Sequence, residues 1–192
     1  MTAPDTRLHL AIVIGSTRQG RIAPTVAAWF AREVTQRLDM VADVIDLADV
    51  ALPAVLGAAH APPAVDAGAR LQRADAFVIV TPEYNHSFPG ALKNALDSYY
   101  EPWRAKPVGF VSYGGASGGL RAVEQLRQVF AELHAVTVRD GVSFHGVWSQ
   151  FDEWGEPTDG ARSSKNAATM LNQLHWWGDA LREARSKALY PS

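Results

Sequence analysis

Short apolar runs alternate along this chain with longer stretches in which apolar residues return every third or fourth position. That pattern predicts strands and helices in turn. Residues 8–14 are almost purely aliphatic and close on Gly15, as expected of a strand covered on both faces in a parallel sheet. Next, Ile22, Val26, Phe30 and Val34 recur every four positions, with Trp29 and Leu38 widening the stripe. Pro24 falls in the first turn of this helix, where its missing N–H is harmless. Residues 41–47 read as a second strand, 48–63 as a Pro- and Ala-rich connection without clear periodicity, and 64–73 as a short helix. The strongest strand pattern, 76–81, stops at Pro82. A helix over 91–100 and a fourth strand over 107–113 follow, then a helix with Leu120, Val123, Leu126, Phe130 and Leu133 on its apolar face. A fifth strand over 135–144, bent or extended near Gly141, precedes a closing helix over 161–187 that carries Leu171, Leu174 and Leu181.

Five strands alternating with helices predict an α/β fold. A five-stranded parallel sheet lies between two helical layers, with right-handed crossovers. At 192 residues the chain is expected to form one domain over 1–192. In such sheets ligands bind beyond the carboxyl ends of the strands, where the strand order reverses. Three polar or Gly-rich loops fall at that edge: 15–21 after the first strand, 82–90 after the third and 114–119 after the fourth. In the order 2-1-3-4-5 these loops are neighbours, so one ligand can touch all three.

Composition narrows the chemistry. Hydrophobic residues at 47% and charged residues at 20% are ordinary for a soluble globular protein, and a formal net charge of −2 gives no global attraction to nucleic acid or an anionic membrane. Neither is expected as a partner. A chain without cysteine has no disulfides, no thiolate metal site and no catalytic thiol, so any redox chemistry must come from a cofactor. No metal site is expected. The first residues lack the basic start and long apolar stretch of a signal peptide, and no apolar run approaches a membrane span, which together predict a cytoplasmic protein.

The turn Gly15-Ser16-Thr17-Arg18-Gln19-Gly20-Arg21 carries the most specific chemistry. A strand, a tight polar turn and a helix in that order make an anion site, because the helix start offers unpaired N–H groups and the positive end of its dipole. A Walker loop is excluded: Arg21 stands in place of the lysine and Ile22 in place of the hydroxyl residue that would hold magnesium. A dinucleotide fingerprint is excluded too, since Gly15 and Gly20 are at the wrong interval. What remains suits a terminal phosphate monoester, such as that of FMN, wrapped by Ser, Thr and Arg side chains and backbone N–H groups. The alternative is a polar turn whose arginines are merely solvated. A competing motif, Gly115-Ala116-Ser117-Gly118-Gly119, matches G-x-S-x-G between a strand and a helix, the context of a hydrolase nucleophile. Asp152 or Asp159 and then His175 follow in a permitted order, although no Gly-rich oxyanion loop is present and His175 falls inside a helical pattern.

Taken together, Gly15-Ser16-Thr17-Arg18, Pro82-Glu83-Tyr84-Asn85 leading into Ala91-Leu92-Lys93-Asn94-Ala95-Leu96-Asp97, and Ser112-Tyr113-Gly114-Gly115 followed by Gly118-Gly119 resemble the NADPH-dependent FMN reductases of flavodoxin-like fold. That family includes quinone, azo-dye and chromate reductases. The resemblance covers roughly residues 8–140 and implies a flavodoxin-like three-layer sandwich. It also implies FMN as cofactor, NADPH or NADH as co-substrate, a small-molecule electron acceptor, and a homodimer or homotetramer. By the resemblance, Ser16, Arg18 and Arg21, with N–H groups near Ile22, would hold the phosphate. Pro82, Glu83, Tyr84 and Asn85 would lie along the isoalloxazine, and Ser112, Gly114 and Gly115 would border its pyrimidine side. No catalytic side chain is implied, because the flavin carries the hydride. Where many members have Trp soon after the helix Asp, this chain reads Asp97-Ser98-Tyr99-Tyr100. The aromatic, acidic segment 147–159, with Trp148 and Trp154, reads either as a contact surface or lid, or as a tail packed on its own core.

Overall fold

A computed structural model describes residues 6–191. The strands are β1 (Leu8–Ile14), β2 (Met40–Asp46), β3 (Ala76–Pro82), β4 (Pro107–Gly114), β5 (Val136–Thr137) and β6 (Val142–His145). The helices are α1 (Ala23–Thr35), α2 (Leu47–Val50), α3 (Pro62–Arg73), α4 (Gly90–Ser98), α5 (Leu120–Glu132) and α6 (Gly160–Lys187). All strand pairings are parallel, in the order β2-β1-β3-β4-β5, with β6 also on β4.

The fifth predicted strand is thus two pieces on one neighbour. β5 pairs with the start of β4 and β6 with its end, and Gly141 stands between them. A Cβ there would come within 2.9 Å of the Phe110 carbonyl oxygen, so the backbone crosses β4 too closely for any side chain. The central strands β1, β3 and β4 are buried on both faces, which is why they read as unbroken apolar runs. One core cluster packs α1 and α6 on one face, around Trp29, Phe30, Phe144 and Leu171. The other packs α3, α4 and α5 on the opposite face, around Phe77, Trp103, Phe110 and Phe130.

Two apolar stripe positions do not pack as predicted. Leu38 lies beyond the end of α1 and is 94% exposed, and Leu120, the first residue of α5, is 52% exposed. Both sit at helix ends, where the periodicity continues but the sheet no longer lies beneath. Tyr99, just past α4, is buried and donates its hydroxyl to the Ala64 carbonyl (2.7 Å), so it belongs to this chain's own core.

Candidate functional site

The loops after β1, β3 and β4 meet in a cleft of about 140 Å³ at the carboxyl edge of the sheet. Nine predicted residues line it: Ser16, Arg18, Arg21, Ile22, Pro82, Glu83, Tyr84, Gly114 and Gly115. Asn85 and Ser112 do not. Asn85 is exposed at the tip of a turn closed by reciprocal backbone bonds between Tyr84 and Ser87 (2.8 and 3.0 Å), with positive φ at Asn85 and His86. Ser112 is buried behind the wall, where its hydroxyl donates to the Gly118 carbonyl (2.9 Å) and holds the glycine turn. A larger cavity, about 560 Å³ beside the free edge of β2, contains none of the predicted site residues.

The first loop arrives with its donors open. No side chain caps α1, which leaves the N–H groups at its start without that partner. Arg18 is exposed and forms no ion pair among the described residues, whereas Arg21 is drawn to Asp46 at 2.6 Å. Asp46 also caps α2 by accepting from the Ala48 N–H, so one carboxylate fixes both α2 and Arg21. Ser16 is fully buried and its Oγ lies 2.7 Å from the Tyr84 hydroxyl, which ties the first loop to the second.

Four buried side-chain polar atoms find no partner among the described residues, and two of them, Arg21 Nε and Tyr113 Oη, belong to residues lining this cleft. Buried donors are ordinarily satisfied, so two orphans at one cleft point to a missing acceptor. Burial pushes the Tyr113 phenol well up and the neighbouring Tyr84 phenol acts in the same direction, outweighing the opposing pull of the nearby Ser16 hydroxyl and of Arg18 and Arg21. Tyr113 therefore stays a neutral O–H donor at working pH.

Glu83 braces the second loop against the third. It accepts from Ser117 Oγ (2.5 Å) and pairs with Arg121 (3.1 Å). Burial opposes its ionisation, but the Ser117 hydrogen bond and the Arg121 charge outweigh burial and hold the carboxyl below its usual range. The second loop is also tied to α5, through Ser87 to Gln125 (2.5 Å) and Gln125 to the His86 carbonyl (2.8 Å).

This arrangement overturns the hydrolase reading. Ser117 is spent on Glu83, while His175 contacts Asp39 and Asp179 (3.4 Å each), next to the amino end of β2 and so at the opposite edge of the sheet. Asp152 accepts the backbone N–H groups of Trp154 and Glu156, and Asp159 caps α6. No nucleophile–base pair exists among these residues.

Three cleft residues were missed in the sequence. Tyr113 was hidden inside a strand pattern; the signal was a tyrosine in an otherwise apolar buried run, directly before two glycines. Val147 and Trp148 come from the segment after β6, which reaches the cleft because the Gly146 N–H donates to the Gly115 carbonyl (2.9 Å). The segment packs in part on its own core. Val147 and Pro157 are buried, Phe151 packs on Phe144 (4.8 Å between centroids), and Glu156 pairs with Arg32, yet Trp148 and Trp154 remain 77% and 75% exposed.

A doubly wound sheet with an anion-ready first loop and a glycine wall at its carboxyl edge defines a flavodoxin-like nucleotide-binding protein. The sequence profile of the NADPH-dependent FMN reductases matches residues 8–149, and the chain belongs to that family. It is 34% identical over 142 residues to an NAD(P)H-dependent FMN reductase of Schizosaccharomyces pombe, covering 67% of this chain and 70% of that protein. It is 32% identical over 163 residues to a quinone reductase of Pseudomonas putida, covering 80% and 86%. Among solved structures, the flavoenzyme NAD(P)H:acceptor oxidoreductase FerB of Paracoccus denitrificans shares the fold, with a TM-score of 0.71 at 20% identity over 90% of this chain and 98% of that one. The chain is accordingly an FMN-dependent NAD(P)H oxidoreductase.

Proposed function

We propose that the protein moves an electron pair from NADPH or NADH, by way of FMN in this cleft, to a quinone-like or other small acceptor or to free flavin. One observation carries the residue assignment: Arg18, the uncapped start of α1 and the orphaned donors Arg21 Nε and Tyr113 Oη converge on one cleft. These are the groups a phosphate monoester satisfies. FMN, when bound, supplies a ring that accepts hydride and returns electrons, which this chain's own side chains cannot do.

The residues then divide the work. Arg18 and the N–H groups near Ile22 hold the phosphate, while Arg21, anchored by Asp46, offers its remaining donor. Ser16 is fixed between that site and Tyr84. Pro82, Glu83 and Tyr84 form one wall along the ring, and Gly114 and Gly115 form the other, where the lack of side chains lets a flat ring approach the backbone. Asn85 and Ser112 support from outside, as turn tip and turn brace. Glu83 is ionised and fully engaged, so it is no general acid, and the reaction needs none.

A homodimer or homotetramer in the cytoplasm completes the proposal. Supporting the assembly, the cleft of about 140 Å³ is smaller than the roughly 300–1,000 Å³ typical of ligand sites, which leaves part of a bound cofactor for a second copy to meet. The exposed indole of Trp148 at its mouth fits such a contact. The test is NADPH and NADH oxidation with a benzoquinone acceptor, beside light scattering on the same sample. Quinone-dependent turnover by a dimer or tetramer is expected, with Ser117→Ala keeping most of it. A fully active monomer would remove the shared-interface site, and absence of acceptor-dependent turnover would remove the proposed reaction.

A further inference from the structure

At the opposite edge of the sheet, where β3 and β4 begin, lies a third cavity, of about 420 Å³. Its charged lining is Arg73, Arg104, Lys106 and Arg185 against Asp75 and Glu101, four cations to two anions. That excess of two positive charges stands out on a chain whose formal net charge is −2. The acids are already committed. Asp75 contacts both Arg185 (3.4 Å) and Arg182 (3.5 Å), and Glu101 pairs with Arg104 (3.1 Å).

Arg185 and Arg104 share those acids, which leaves Arg73 and Lys106 without a carboxylate partner among the described residues. Lys106 is only 5% exposed, and its ammonium donates to the carbonyls of Gln72 (2.9 Å) and Leu71 (3.5 Å) at the end of α3, with no carboxylate of the described residues in ion-pair range. Buried ammonium groups are ordinarily paired with a charge. Burial, with Arg185 adding to it, lowers the Lys106 pKa to about 8, the expected result of that isolation. Arg104 carries another of the four buried unpartnered atoms among the described residues, its Nε, while its guanidinium lies 6.0 Å from the ring centres of both Tyr100 and Tyr190. Arg73 is exposed and makes no ion pair among the described residues.

We infer that this cavity binds a phosphate-class dianion, either free phosphate or a phosphate monoester, with Arg73, Arg104 and Lys106 as its principal partners. A dianion matches the charge excess, and guanidinium forks match phosphate oxygens. The site lies at the strands' amino ends, away from the flavin cleft, and stands independently of the reading of that cleft.

The experiment uses FMN-loaded protein, so that the flavin phosphate site is filled, in phosphate-free buffer. Calorimetric titration with inorganic phosphate and, separately, phenyl phosphate should each give one saturable event per chain. Arg73→Ala, an exposed change that leaves the fold alone, should weaken it roughly tenfold, and Lys106→Met should abolish it. Flavin content and reductase turnover should stay at parental levels in both variants. Tighter binding of phenyl phosphate would identify a monoester whose ring lies against Tyr100 and Tyr190, and equal binding would identify free phosphate. No saturable binding to the loaded protein, or binding unchanged in Arg73→Ala, would overturn the inference.

Discussion

Arg18→Ala is expected to weaken FMN binding roughly ten- to a hundredfold, the cost of one charge-assisted hydrogen bond of about 1.5–3 kcal/mol. Arg18 is the better probe of the two loop arginines. Arg21→Ala would also strand the Asp46 carboxylate, mixing a stability loss with a binding loss. Arg18 lines the cleft without an ion pair among the described residues, so its removal subtracts binding alone. Titration by flavin fluorescence measures the affinity, and turnover should return when FMN is supplied in excess. An unchanged affinity would put the phosphate elsewhere.

The second large effect is on stability. Gly119 opens α5 at φ +84, and a Cβ on it would come within 2.8 Å of the Ser112 Cβ and the Tyr113 nitrogen. Gly119→Ala therefore combines left-handed strain with overlap against the backbone of β4, and is expected to cost about 2–4 kcal/mol. Gly20→Ala supplies the control. Its φ is +66, but nothing lies within 4 Å of its Cβ, so only the conformational cost of about 1–2 kcal/mol applies. Urea denaturation of both variants measures the difference. Equal midpoints would mean that the Gly119 turn can relax away from β4.

The central strands β1, β3 and β4 were legible because burial on both faces writes itself as an unbroken apolar run. The break between β5 and β6 was legible only as a bend expected near Gly141; that it divides the strand in two depends on how closely Gly141 passes Phe110, a contact across the sheet. The three cleft loops were legible as polar punctuation after apolar runs. Their side-chain states were not, because each is set by a residue distant in sequence: Arg21 by Asp46, Ser16 by Tyr84, Ser117 by Glu83. The G-x-S-x-G match misled for the same reason. Its spacing is local, while the base that would make it a hydrolase has to arrive through the fold, and His175 arrives at the other edge.

The central claim is that this cleft holds FMN and that NAD(P)H reduces it there. The most direct measurement reconstitutes the purified protein with FMN, removes the excess by gel filtration, and adds NADPH without oxygen while the visible spectrum is followed. One FMN per chain should remain bound, its visible bands should bleach on addition of NADPH, and a quinone should restore them. A protein that keeps no FMN through gel filtration, or whose bound flavin stays oxidised with both NADPH and NADH, would contradict the account.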